Sequence, residues 1–478
     1  MTEVTHAAPE WLDAPAWERL ERRLTRGLQN ARAAGTVTLV SISAPCPRAA
    51  DPTALVVRSR RAGEPWFVLE QPDRDRVALA ALGCVRELTA GGRERFGEID
   101  RHWRALARDV IADPIVGPPG SGLVAVGGFA FSPDGGDSPR WGAFAPGSLI
   151  VPALSFARRG TETWLTVNVE VAPDDTVEQL LGAAAERLST LDPGPLPLLD
   201  PAPAGAYRVL SAMPPSHYEE AVARAVQRIR GGEIEKVVLA REVEVHAPVA
   251  HDPGGVLALL REEFPACYVF AVGRGDSVFV AASPELLIRR DGQRASTVAL
   301  AGSTRRSADP AVDDHLGEQL RQSDKEREEN AIVARKIARV LAPHAVWVTA
   351  APEPSLVRVA NIQHLGAPIR AQLAKPISAV ALAGMLHPTP AVGGEPGAKA
   401  EALIPALEGI DRGWYAGPVG WTDITGDGEF CVALRCALLR DRLAHLYAGC
   451  GIVRDSDPAA ELAETEVKLQ ALLPVLAG

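Results

Sequence analysis

The stretch GPVGWTDITGDGEFCVALRCALLRDRLAHLYAGCGIV, residues 417–453, reads as three strands in succession. Runs rich in Val, Leu, Ala and aromatic residues at 417–422, 429–439 and 443–453 are separated by turn residues, with no helix between them. Strand running into strand points to an α+β fold and against a doubly wound parallel sheet, in which helices would alternate with strands. The same reading extends upstream. Strands are expected at 235–245, 267–272 and 276–282, the last followed by a turn at Ser283-Pro-Glu285, and helices at 254–263, 376–386 and 459–475. Ser216 caps a helix that runs to Arg230, with Glu219 at the capping-box position and Gly231-Gly232 ending it. Asp313 to Leu341 reads as one continuous helix, roughly 43 Å long at 1.5 Å per residue.

The first half has the same mixture. Helical periodicity marks 15–34, 73–88 and 177–188, and strand-like runs occupy 35–43, 66–69, 123–131 and 163–171. A connection dense in Pro and Gly spans residues 192–205. It either separates two domains or joins two halves of one sheet system.

The chain has 478 residues, 47% of them hydrophobic and 23% charged, enough apolar material for a large core. Its 60 acidic and 50 basic side chains leave a net charge of -10, which argues against a nucleic-acid surface. No basic segment followed by an apolar run opens the chain, and no apolar stretch reaches the ~18 residues of a membrane span. The expectation is a cytoplasmic protein. The six cysteines form no CxxC pair and read as small buried thiols, and Cys431 and Cys436, taken as lying on one strand, point to opposite faces.

Several residues could carry chemistry. Lys236 opens a strand, where burial beside polar partners would let its amine act as a base; a solvated strand end is the alternative. Glu285 lies between two apolar runs, Ala281-Ala282 and Leu286-Leu-Ile288, a setting that raises a carboxyl pKa and suits a general acid, or else it merely caps the turn. Glu318, Gln322, Lys325 and Glu329 fall on one helix face, as do Glu461, Glu464 and Lys468. Such faces are usually solvated, but two of them meeting in one cleft could hold a hard divalent cation. No phosphate loop, dinucleotide fingerprint or GxSxG elbow occurs; Gly449 and Gly451 suit close approach of backbone to a small anion, or tight packing.

Taken together, these motifs resemble the chorismate-utilising enzymes. The resemblance rests on Glu235-Lys-Val-Val-Leu-Ala-Arg241, Ala282-Ser-Pro-Glu-Leu-Leu287, Leu300-Ala-Gly-Ser-Thr-Arg-Arg306, Asp324-Lys-Glu-Arg-Glu-Glu-Asn330 and Gln363-His-Leu365. It continues through His387-Pro-Thr-Pro-Ala-Val-Gly-Gly394, Arg412-Gly-Trp-Tyr-Ala-Gly-Pro-Val-Gly420, Val432-Ala-Leu-Arg435 and Tyr447-Ala-Gly-Cys-Gly-Ile-Val453 to Glu464-Thr-Glu-Val-Lys468. These motifs fall in order across about residues 210–475 and are most similar to isochorismate synthases. Residues 1–200 fit the more variable half of the same fold. The resemblance implies one large α+β domain over residues 1–478, with two packed antiparallel sheets surrounded by helices and a cleft lined by the C-terminal half.

It also implies roles. Glu329 and Glu464 would bind magnesium (Mg2+) directly, with Glu326 and Glu461 acting through its water shell and Lys468 beside the metal and the ring carboxylate. Gly302 and Ser303 would make local polar contacts and His364 would border the ring. Arg435, Tyr415 and the backbone at Gly449 would receive the enolpyruvyl carboxylate of chorismate. Lys236 would activate a water that attacks C2, and Glu285 would protonate the departing C4 hydroxyl. Family members that use ammonia carry glutamine or another non-basic residue where Lys236 stands, so lysine implies water and no amidotransferase subunit. Salicylate synthases, which go on to eliminate pyruvate, tend to carry threonine where this chain has Ala391; alanine therefore favours release of isochorismate, for menaquinone or siderophore synthesis. A monomer is expected. Two departures are Cys450, where alanine is common, and Leu462-Ala463 in place of a tryptophan-containing pair.

Overall fold

In a computed structural model describing residues 10–48, 50–200, 205–359 and 362–477, two antiparallel sheets carry the chain. The first runs Thr38–Pro45, Glu162–Val171, Leu154–Arg159, Val77–Leu82, Gly63–Gln71, Tyr268–Gly275, Ser277–Ser283, Cys436–Arg440, Leu443–Ile452, Lys236–His246 and Gly394–Glu395, with Arg208–Ser211 also beside Lys236–His246. The second runs Ala345–Ala350, Ile362–Leu373, Arg294–Arg305, Leu286–Asp291, Gly428–Val432, Pro418–Asp423, Val124–Phe129, Gly147–Val151 and Arg86–Ala90, with Ser355–Val359 also beside Ile362–Leu373. Each sheet takes strands from both halves of the sequence. The result is a single α+β domain, and the connection at 192–205, of which 201–204 lie outside the described residues, joins two halves of one sheet system.

Side chains alternate between the faces of a strand. In the first sheet Phe67, Phe270 and Phe279 point into a core shared with Phe129 and Phe430 of the second sheet. Their neighbours Val68, Val269 and Val280 pack with Leu20 and Leu24 of helix Ala14–Ala34 and Leu257 of helix Pro253–Glu263. With both faces buried, these strands read as unbroken apolar runs. Among the described residues no helix is long and apolar enough to cross a membrane.

That double burial corrects the helix expected at 73–88. Val77–Leu82 and Arg86–Ala90 are strands, with left-handed backbone at Asp75, Arg76 and Gly83 turning the chain. Between them the segment 77–82 is wholly apolar, so it carries no period that would tell helix from strand. Ser216 caps nothing: the helix starts at Pro215, and Pro214 holds the cap position without a side-chain bond. The helix expected over 313–341 breaks into Pro310–Gln322 and Asp324–Leu341 at an extended Ser323, whose side chain accepts from the Glu326 N–H. Glu318 and Gln322 thereby separate from Lys325 and Glu329. Helix 459–475 is likewise Pro458–Leu469 followed by a short Leu473–Ala477.

The strand expected at 429–439 is two strands in different sheets, Gly428–Val432 and Cys436–Arg440, so Cys431 and Cys436 share no strand. All six cysteines are free thiols, and Cys84 is exposed rather than buried.

Candidate active site

The chain crosses between the sheets at Pro284-Glu285, from Ser277–Ser283 to Leu286–Asp291, and crosses back at residues 433–435. The two crossings are tied together. The Val432 N–H donates to the Glu285 carbonyl at 3.0 Å and the Ala282 N–H to the Arg435 carbonyl at 3.1 Å. Arg435 has a left-handed backbone, φ 47°, unusual for a residue other than glycine. The crossings set the Glu285 and Arg435 side chains in the interior, where both line one cavity.

Around this cavity lie the other residues singled out from the sequence: Gly302, Ser303, Glu326, Glu329, His364, Ala391, Tyr415, Gly449, Glu461, Glu464 and Lys468. Lys236 stands just behind this lining. It is fully buried, and its Cε lies 2.8 Å from where a Cβ on Gly451 would sit. Its Nζ lies 2.8 Å from Glu329 Oε1, yet the contact is not aligned as a hydrogen bond, and Nζ has no hydrogen-bond partner among the described residues.

Glycines admit the carboxylates. A Cβ on Gly451 would stand 2.1 Å from Glu329 Oε1, and one on Gly302 3.1 Å from Glu326 Oε2. At Gly302 the strand pairing slips by a residue and φ is 80°, a conformation that favours glycine. Ser303 Oγ donates to Glu464 Oε1 at 2.6 Å and the Ser303 N–H to Glu326 Oε2 at 3.3 Å. Gly451→Ala is expected to push Glu329 aside, so calorimetric affinity for a divalent cation should fall by at least about tenfold, the loss expected when a ligand's support is disturbed. An unchanged affinity would show that Glu329 has room to spare.

Burial lifts the Glu285 carboxyl to about 8, with Lys236 and Lys468 pulling partly the other way. Burial and neighbouring Glu329 raise Glu326 to about 7, and burial and Glu464 raise Glu461. Burial would also raise Glu464, but Lys468 at 2.9 Å and the Ser303 hydroxyl outweigh it and hold this carboxyl below its ordinary value. Glu326, Glu329, Glu461 and Glu464 together are an oxygen donor set suited to a hard divalent cation, which would relieve the mutual repulsion that raises Glu326 and Glu461. Cys450 brings a thiol within 4.8 Å of the Glu461 and Glu464 oxygens. A second cluster, Glu242, Glu244 and His445, already holds the Arg140 guanidinium, which reaches His445 Nδ1 at 3.0 Å.

Burial, followed by the charges of Arg435 and Lys468, keeps His364 well below its ordinary pKa, so the ring is neutral. Its Nε2 accepts from Arg435 Nη2 at 2.6 Å, while Arg435 Nη1 has no hydrogen-bond partner among the described residues. Lys468 Nζ donates to the Gly449 carbonyl at 2.8 Å. Two residues were not assigned a place from the sequence. Lys325 Nζ bonds Glu461 Oε1 at 3.0 Å, bridging the two helices; its place on the polar line with Glu329 was the available signal. Tyr447 stacks on Tyr415 at 5.2 Å and 15° and lines the cavity; it opens the motif Tyr447–Val453, where the sequence gives it no role of its own.

Comparison with known proteins bears on this site. Residues 26–477 match the family model described as chorismate binding enzyme. The chain is 39% identical over 421 residues to the salicylate biosynthesis isochorismate synthase of Pseudomonas aeruginosa, covering 87% of this chain and 85% of that protein. It is 34% identical over 425 residues to the isochorismate synthase MenF of Bacillus subtilis, covering 86% and 88%. The structure of the menaquinone-specific isochorismate synthase MenF from Escherichia coli superposes with a TM-score of 0.77 at 28% identity, over 95% of this chain and all of that one. Anthranilate synthase component I from Streptococcus pneumoniae, at 20% identity and a TM-score of 0.66, shares the fold.

Proposed function

The chain belongs to the chorismate-utilising enzymes, within their isochorismate synthase branch, and from this premise we propose that it is a magnesium-dependent isochorismate synthase. The observation that carries the reading is a buried carboxyl lining the cavity, Glu285, with a buried lysine, Lys236, just behind that lining, each within electrostatic reach of the other. One group can give a proton where the other takes one.

In this reading Lys236 takes a proton from the water that adds at C2, and Glu285 gives a proton to the C4 hydroxyl as it leaves. The ring double bonds shift between the two carbons, so atoms and charge balance without a redox partner. Glu329 and Glu464 would hold magnesium directly and Glu326 and Glu461 through its waters; the ion would supply positive charge for the ring carboxylate. Arg435, whose Nη1 lacks a partner among the described residues and whose Nη2 is held by neutral His364, would receive the remaining carboxylate. Chorismate is the substrate, and the enzyme acts as a monomer without an amidotransferase. Incubation with chorismate and magnesium, with products separated by chromatography, tests the proposal: isochorismate should accumulate, and an unchanged substrate would refute it.

Salicylate synthase is the second reading, favoured by the retained lysine. Ala391 argues for release: it borders the cavity on a loop where the Val392 and Gly393 N–H groups bond the Thr389 carbonyl. Elimination needs the C2 proton and the enolpyruvyl group held in register, a geometry that small displacements spoil. Ala391→Thr adds a hydroxyl and a branch there and should raise the salicylate fraction without raising total turnover. Salicylate and pyruvate in equal amounts from wild type at the earliest time point would instead make elimination the native reaction.

A further inference from the structure

The strand that carries Lys236 has one edge that no neighbouring strand completes along its middle. Gly394–Glu395 pairs with Lys236 and Val237, and the Gly393 carbonyl accepts from the Val238 N–H at 2.7 Å. Further along, Arg208–Ser211 pairs with Val243–His246. Between these partners the Val238 carbonyl and the Ala240 N–H would be orphaned in the interior, a cost that buried backbone groups rarely bear.

Two side chains from outside the sheet fill the gap. Arg412 Nη2 donates to the Val238 carbonyl at 2.9 Å, and the Ala240 N–H donates to Glu408 Oε1 at 2.7 Å. Glu408 ends helix Gly397–Glu408 and is joined to Arg412, whose Nε donates to Glu408 Oε2 at 3.0 Å and whose Nη2 also donates to Oε1. The remaining nitrogen, Nη1, donates to the Val392 carbonyl at 2.8 Å, next to Ala391. The guanidinium lies over the Phe131 ring at 4.2 Å and the Tyr415 ring at 5.6 Å. Both partners are buried, and neither lines the cavity.

We infer that the Glu408–Arg412 pair is a positioning device that stands in for a missing strand, fixing the Lys236 strand in register with the loop carrying Ala391. A planar fork with several fixed donors can hold two backbone carbonyls and a carboxylate at once; a lysine cannot. The inference rests on Lys236 as the base proposed above. Since neither partner lines the cavity, its effect on rate passes through the groups it positions, and the inference assigns the larger part to Lys236.

The test is a double-mutant cycle on the full chain, with amide exchange as a readout independent of activity. Arg412→Lys, assayed where circular dichroism shows it folded, should lower kcat about 10²-fold, the scale of a misplaced catalytic group, with KM changing much less. Added to Lys236→Gln it should cost little more, because residues acting as a unit are non-additive. Glu408→Gln, which keeps an acceptor for Ala240, carries the cycle should Arg412→Lys not fold. Exchange at the Ala240 N–H should quicken at least tenfold in Glu408→Ala while the opposite strand, Leu443–Ile452, keeps its protection. Additive losses in the cycle, or unchanged exchange at Ala240, would overturn the inference. Faster exchange in a chain that makes no isochorismate would defeat the functional reading alone.

Discussion

Turnover of chorismate should disappear when divalent cations are stripped from the protein and return on adding magnesium. Lewis-acid stabilisation of developing charge is worth several kcal/mol, which at 1.36 kcal/mol per decade is about 10³-fold in rate. The structure makes the two carboxylates proposed to hold magnesium directly unequal. Glu464 is tied to Ser303 and Lys468, whereas Glu329 faces Lys236 across the Gly451 cradle. Glu464→Ala should therefore leave Lys468 without its ion pair and prevent rescue at ordinary magnesium concentrations, as should Glu329→Ala, which in addition unpairs Lys236. Calorimetry with magnesium alone should show the loss of binding in both variants. Full turnover in exhaustively metal-free buffer would remove the metal from the mechanism.

Much of the arrangement was legible in the sequence, and the parts that were not have physical reasons. The flanking apolar runs around Glu285 announced burial, and burial is the main cause of its raised pKa. Strand following strand announced antiparallel sheets. The break at Ser323 was also written locally, as a serine followed three residues later by Glu326, but an unbroken polar face on either side masked it. No local signal marked the sheet crossing at Arg435, where tertiary bonds, not a glycine, hold a left-handed backbone. The bridge from Lys325 to Glu461 spans residues far apart in sequence, so only the packing of the two helices could disclose it. The wholly apolar run 77–82 had no period to read, because a strand buried on both faces needs no alternation.

Loss of either group proposed to handle a proton should be nearly as severe as loss of the metal. Lys236→Gln and Glu285→Gln should each lower kcat by about 10²–10⁴-fold, the range of general acid–base catalysis, while chorismate still binds. The pH profile separates them. Glu285 has its folded-state pKa raised from 4.5 to about 8, so its proton is present below that value and is lost as pH rises through it. Wild-type kcat/KM should accordingly fall on an alkaline limb near pH 8. In Glu285→Gln the proposed proton donor is gone, and the residual rate should lack that limb, whereas Lys236→Gln should retain it. Because ionising a carboxyl in an apolar setting also weakens the fold, with the stability loss accumulating as pH rises from 4.5 to about 8 and levelling off above it, circular dichroism at each pH is needed to show the protein still folded. A wild-type profile flat to pH 9.5, or near-native turnover in Glu285→Gln, would mean that the C4 hydroxyl takes its proton from another donor.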